Sequence, residues 1–159
     1  MNPKSDQSRL VLVGQAPGSA AQPSAPLEGR IGRMLSDLIG VSFEEYLMGT
    51  ERLNLITHWM GKAGKGDVWN PRAAERRAEK LKPELAGRTV VLLGRNVAAA
   101  FGLKRLPWMT FSEMNGAMVG IVPNPSGIVL WWNEEKNRLA ASAFLKKAWR
   151  MKDLKRNIG

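Results

Sequence analysis

The chain has 159 residues, 44% of them hydrophobic, with 24 Lys and Arg against 14 Asp and Glu for a formal net charge of +10. That is one domain's length with enough apolar side chains for a core, and its basic excess favours a polyanionic partner, nucleic acid ahead of an anionic membrane. The absence of cysteine excludes disulfides, thiolate metal sites, Cys-ligated clusters and a cysteine nucleophile, and the single histidine, His58, excludes a His-rich metal site and makes a Ser-His-Asp triad improbable.

No apolar run approaches the roughly 18 residues of a membrane span. Met1 to Arg9 is polar, without a secretory apolar region. The expectation is a soluble, cytoplasmic protein with loose ends at 1–9 and about 152–159.

In chain order, Leu10-Val11-Leu12-Val13 is a short apolar run ended by Gly14, the pattern of a buried strand. Residues 14–27 are rich in Gly, Pro and small side chains and read as a loop. Ile31, Met34, Leu35, Leu38 and Ile39 share one helical face, and Gly40 stands at the C-cap position. Ser42-Phe43-Glu44-Glu45 is a capping box opening a short helix to about Met48. Leu53 to Ile56 is a second strand, and Thr57 to Pro71 a long surface loop.

Asn70-Pro71 starts a helix through Ala73, Ala74 and Ala78 to Leu81, where Pro83 ends it. Thr89 to Leu93 is the clearest strand, and Asn96 to Phe101 a short helix ended by Gly102. Met118 to Val122 is the fourth strand. Asn133 caps a last helix with Ala140, Phe144, Ala148 and Met151 on one face.

The order β-α-β-α-β-α-β-α predicts the α/β class. It implies one domain over 1–159, a three-layer α/β/α sandwich with a four-stranded parallel sheet. Ligands of such sheets bind at the carboxyl ends of the strands. Four segments fall there: Gly14-Gln15-Ala16-Pro17-Gly18, Thr57-His58, Gly94-Arg95-Asn96 and Pro123-Asn124-Pro125-Ser126-Gly127. The first and last are Gly, Pro, amide and hydroxyl residues, which bring backbone N–H groups close to a ligand.

Gly14 to Gly18 after a first strand, paired with Asn124-Pro125-Ser126-Gly127 after a last one, resembles the uracil-DNA glycosylase superfamily. The first motif, with Pro26 and Gly29-Arg30-Ile31-Gly32, is most similar to the family-four, iron–sulfur branch, as is the run of elements from Arg52 to Gly102. The second motif is similar to the mismatch-specific branch. The resemblance covers residues 10–150. Three departures stand out. The cluster cysteines are absent, Gln15 replaces a carboxylate, and Leu27 aligns with the aromatic that stacks on the flipped base.

The resemblance implies a monofunctional enzyme that flips uracil, or a mismatched or 5-substituted pyrimidine, out of DNA. It then cleaves the N-glycosidic bond by water attack. Such chemistry needs base extrusion, stabilisation of charge growing on the base and a held water, and neutral amides can do the last two. Gln15 and Asn124 are the implied catalytic residues. Gln15 cannot stabilise the cationic sugar as a carboxylate does, so a slow enzyme is expected.

Gly14, Ala16, Pro17, Gly18, Leu27, Asn54, Ser126 and Gly127 would contact the substrate, with Asn54 reading the pyrimidine edge. Ile128, Val129 and Leu130 would wedge into the helix, while one of Trp131 and Trp132 packs inward. Lys62, Lys65, Arg95 and Asn96 would contact phosphates. Arg72, Arg76, Arg77, Lys80 and Lys82 read as a solvated helix face, and His58 reads equally as a loop histidine or a DNA contact. No cofactor, metal or iron–sulfur cluster is expected, the partner is DNA, and the chain is expected to be a monomer. Two alternatives stay open: a DNA-binding module of the same fold, catalytically weak, and an unrelated nucleotide-handling α/β enzyme. The second lacks a Walker motif and a full G-x-G-x-x-G.

Overall fold

The computed structural model describes residues 8–16, 26–57, 62–63, 66–67, 69–126 and 129–154. Its main sheet has five strands in the order β2-β1-β5-β7-β6. These are β1 (Leu10–Gly14), β2 (Thr50–Asn54), β5 (Thr89–Leu93), β6 (Phe111–Met114) and β7 (Ala117–Val122). The two remaining strands, β3 (Lys62–Ala63) and β4 (Gly66–Asp67), form a separate antiparallel ribbon. Among the described residues the α-helices are α1 (Arg30–Ile39), α2 (Phe43–Gly49), α3 (Pro71–Leu81), α4 (Arg95–Ala100) and α5 (Glu135–Met151). Among the described residues no helix is long and apolar enough to cross a membrane.

The four strands expected from apolar runs are present and pair in parallel, β2 with β1, β1 with β5, and β5 with β7. The sheet is nevertheless not four-stranded and not wholly parallel. A fifth strand, β6, pairs antiparallel with β7. Its cause is local: Asn115 and Gly116 both have positive φ (50° and 85°), as a two-residue hairpin turn requires, and Asn-Gly is the favoured pair for it. Phe111 of β6 stacks on Phe144 of α5 with centroids 4.5 Å apart. Gly120 of β7 leaves room for both rings, since a Cβ there would lie 2.4 Å from Phe144.

Three boundaries also move. The second strand is Thr50–Asn54, not 53–56, because α2 runs directly into it. Leu55 and Ile56 continue the pairing by donating to the carbonyls of Gly14 and Gln15. The stretch 57–71, expected as loop, contains the β3–β4 ribbon. Glu134 rather than Asn133 stands at the N-cap of α5, since Asn133 closes a 3₁₀ turn over Leu130–Asn133. Ala140 is exposed, and the buried face of α5 is Ala141, Phe144, Leu145 and Ala148.

Alternation along the strands divides the core in two. Val11, Val13, Val90, Leu92, Val119 and Ile121 pack with Ala74 and Ala78 of α3 and Val97 and Ala98 of α4. Leu10, Leu12, Val91, Leu93 and Val122 pack with Leu35 and Ile39 of α1 and Phe144 and Leu145 of α5. Successive strand side chains point to opposite faces, so a wholly apolar strand must be covered on both. The connection from β1 leads outward to β2, and that from β5 leads the other way to β7. The order therefore reverses between β1 and β5, which is where an open α/β sheet leaves a crevice.

Candidate functional site

A cavity of ≈ 230 Å³ opens at that reversal. Its base is Gly14 at the end of β1 and Leu93 at the end of β5. Asn54 from β2, Gln15 and Ala16 after β1, and Asn124, Pro125 and Ser126 after β7 surround it. Leu27, Arg30 and Ile31 form the remaining wall. A larger hollow of ≈ 580 Å³ lies between α3 and α4, but acids and bases, Glu75 and Glu79 with Arg72, Arg76 and Lys82, share its rim. The smaller cavity is the better candidate because it joins apolar walls to a few converging amides.

Register places Gly14 opposite Asn54. A Cβ on Gly14 would lie 2.5 Å from Asn54 Oδ1 and 3.1 Å from Leu27 Cδ2, so the missing side chain is what lets the amide and the leucine close over the strand end. Asn54 is 9% exposed, and its carboxamide makes no hydrogen bond to another described residue. Its polar atoms are not sealed in the core but open onto the cavity, where they can exchange solvent for a ligand. Its donor and acceptor are left for whatever enters the cavity.

The Leu27 wall is strained. Its φ of 58° is left-handed, unusual for a residue with a side chain. Two contacts hold it there. The Tyr46 hydroxyl donates to the Leu27 carbonyl at 2.8 Å. Gly32 lets the same carbonyl approach so closely that a Cβ would lie 2.3 Å from it. Tyr46 is fully buried, and burial pushes its phenol well above the ordinary range. Beside it, Arg52 pairs with Glu28 at 3.4 Å and donates to the carbonyls of Leu47 and Thr50, tying the loop to β2.

The opposite wall is locked by backbone contacts. Gly94, at φ 109°, donates to the Val122 carbonyl at 2.8 Å, and a Cβ on it would stand 3.0 Å from Asn124 Cβ. The Trp132 indole N–H donates to the Asn124 carbonyl at 2.9 Å. Asn124 thus has a fixed backbone, while its carboxamide makes no hydrogen bond to another described residue. Across the floor, Asn96 Nδ2 donates to Gln15 Oε1 at 3.4 Å.

The cavity therefore brings together Gly14, Gln15, Ala16, Leu27, Asn54, Asn124 and Ser126 of the residues singled out from sequence. Pro17, Gly18, His58, Lys65, Gly127 and Ile128 lie outside the described residues, and Lys62 falls in the β3 strand of the ribbon. Arg95 starts α4, but its guanidinium donates to the carbonyls of Lys104 and Leu106 and stacks 4.0 Å over Trp108. Asn96 turns towards Gln15.

Beyond the cavity, Trp132 is buried and meets Trp131 edge-on at 4.7 Å. Asn137 and Arg138 of α5 donate to the carbonyls of Trp131 and Trp132. Val129 is half-buried and packs against that core, whereas Leu130, held on the anchored 3₁₀ turn, is 74% exposed.

Sequence reasoning missed Arg30, Ile31 and Leu93 as cavity residues. The signal available was Gly29-Arg30, a cation at the start of the first helix after the first loop. The chain matches no family model and no curated protein.

Proposed function

We propose that the protein is a DNA glycosylase that receives a flipped pyrimidine, uracil or a mismatched or 5-substituted relative, in the ≈ 230 Å³ cavity and hydrolyses its N-glycosidic bond. The observation that carries this reading is the convergence of Gln15, Asn54 and Asn124 at the carboxyl ends of three parallel strands, against Leu27 and Leu93. The volume lies below the roughly 300 Å³ where drug-sized pockets begin, and so suits one base better than a dinucleotide. The two-sided core favours the three-layer sandwich of the superfamily that the sequence motifs resemble.

In this reading Asn54 matches a pyrimidine edge, its amide donating to a carbonyl and accepting from the ring N–H. As the C1′–N1 bond breaks, its electron pair passes to the base, and the Asn124 amide donates to the growing negative charge. Gln15 Oε1 has one lone pair towards Asn96 and one for a water that attacks C1′; the proton this water loses passes through solvent to the base anion, yielding free base and an abasic sugar. Leu130, displayed on its rigid turn, fills the gap in the helix, and the +10 chain is held by phosphates with a strong salt dependence.

One observation favours a second reading. No carboxylate lines the cavity among the described residues, so nothing there offsets the charge of an oxocarbenium-like sugar. A module that flips and holds a base without cutting fits that composition. Single-turnover assay of abasic-site formation on uracil-containing and mismatched duplexes decides between them. Asn124→Ala is expected to lower cleavage by about 10²–10³ with DNA binding largely kept, and Gln15→Asp to raise it. A wild-type protein inert at stoichiometric concentration rejects the enzyme in favour of the binding module.

A further inference from the structure

The two consecutive helices α1 and α2 begin in opposite ways. Ser42 caps α2 by accepting from the Glu45 N–H at 3.0 Å, Glu45 returns the bond, and Glu44 adds a second acid to the first turn. α1 has glycine at its N-cap, no side-chain cap and no acid in its first turn. Its first residue is instead a cation, Arg30, at the end where the helix dipole is already positive. Ten residues long, α1 is therefore left with bare N–H donors and an added positive charge at one spot. That arrangement is unfavourable for the empty fold and favourable for an anion.

The spot is on the cavity. Arg30 and Ile31, the first two residues of α1, line it, as does the partnerless Asn54 carboxamide, itself nine-tenths buried. The neighbouring arginines are engaged. Arg33 stacks 4.3 Å over Phe43, and Arg52 pairs with Glu28 at 3.4 Å. Arg30 is exposed and has no ion pair, hydrogen bond or ring contact with another described residue. A neutral base accounts for Asn54 but gives no partner to Arg30 or to the bare helix end.

We infer that Arg30 and the N-terminus of α1 form a phosphate subsite at the cavity mouth, so that the ligand is a nucleotide whose base meets Asn54 and whose phosphate meets Arg30. This rests on the base-binding reading of the cavity and not on excision. A guanidinium and backbone N–H groups together offer a phosphate several charge-assisted hydrogen bonds. The phosphate belongs either to a DNA strand carrying the flipped residue or to a free mononucleotide.

The test compares affinities of the full-length protein for deoxyuridine and its 5′- and 3′-monophosphates. A second pair of probes is a single-stranded oligonucleotide with one deoxyuridine, its flanking linkages either phosphodiester or uncharged methylphosphonate. The charged member of at least one pair is expected to bind about tenfold tighter. That advantage disappears in Arg30→Gln and persists in Arg76→Gln, an equal charge change at an exposed position of α3. Arg30→Gln keeps or slightly raises the melting temperature, because it removes a cation from the positive end of a helix.

An advantage with the mononucleotides identifies a free nucleotide as a ligand, and one confined to the oligonucleotide identifies the strand. Equal affinity within every pair, an advantage that survives Arg30→Gln, or no binding of any probe overturns the subsite. If the advantage is found and no base is excised, the glycosylase reading falls and the subsite stands.

Discussion

The two walls of the cavity are built by different means. The Asn124 wall continues the sheet. β5 and β7 pair to their last residues, Gly94 bonds to Val122, and the Trp132 indole fixes the Asn124 carbonyl. The Leu27 wall is off the sheet. It is a left-handed leucine held by one tyrosine hydroxyl and by the missing side chain of Gly32. The first wall presents an amide from a backbone that has little freedom. The second presents an apolar side chain, Arg30 and a bare helix end from a segment whose conformation tertiary contacts impose against its local preference. A pocket whose two sides are specified so differently can change what it accepts on one side without disturbing the other.

Substitutions that remove either support test that difference. The largest loss is expected for Gly32→Ala, whose Cβ would meet backbone rather than a movable side chain at 2.3 Å. About 3 kcal/mol of unfolding free energy should be lost in denaturant titration. A near-neutral result would mean that the Leu27 loop relaxes freely and is not held as described. Gly94→Ala comes next, at about 2 kcal/mol, from strain at φ 109° with a tight contact to Asn124 Cβ. It should lower cleavage or base binding in the same sample, because Asn124 has to move.

Tyr46→Phe removes the donor to the Leu27 carbonyl and should cost about 1 kcal/mol at neutral pH. The variant also has a pH signature. Burial raises the Tyr46 pKa in the folded state, so the fold holds the neutral phenol. That contribution is complete below the unfolded value of about 10 and is lost as pH rises above it. Tyr46 is the chain's one tyrosine. Unfolding free energies measured from pH 8 upward should decline less steeply in Tyr46→Phe than in wild type; equal slopes would dissociate the tyrosine from the alkaline loss.

The smallest change in stability, below about 1 kcal/mol, is expected for Gly14→Ala. The atom it meets is the end of the Asn54 side chain, which can swing aside. Binding of a pyrimidine nucleoside should nevertheless weaken severalfold, since the swung amide leaves the base edge. Calorimetric titration checks this, and unchanged affinity would show that Asn54 does not read the base.

The strands at 10–14, 89–93 and 117–122 were legible because a strand covered on both faces is apolar throughout, and residues such as Val90, Val91 and Leu92 have no other reading. Gln15 and Asn124 were placed on a common site because parallel strands in one sheet must end at the same edge. The β6 hairpin was missed although Asn115-Gly116 signals its turn, because its strand is half-exposed and its apolar signal is weak. Leu27 was placed at the site only through the resemblance, and Arg30 was not placed there at all. Nothing in the order of residues says that a tyrosine nineteen positions on will pin the Leu27 carbonyl, or that α1 will begin at the mouth of the cavity. Local pattern decided which segments became strands and helices, because hydrophobic periodicity acts within a few residues. Tertiary structure decided which polar groups kept their hydrogen-bonding capacity, because a partner distant in sequence becomes a neighbour only when the chain has folded.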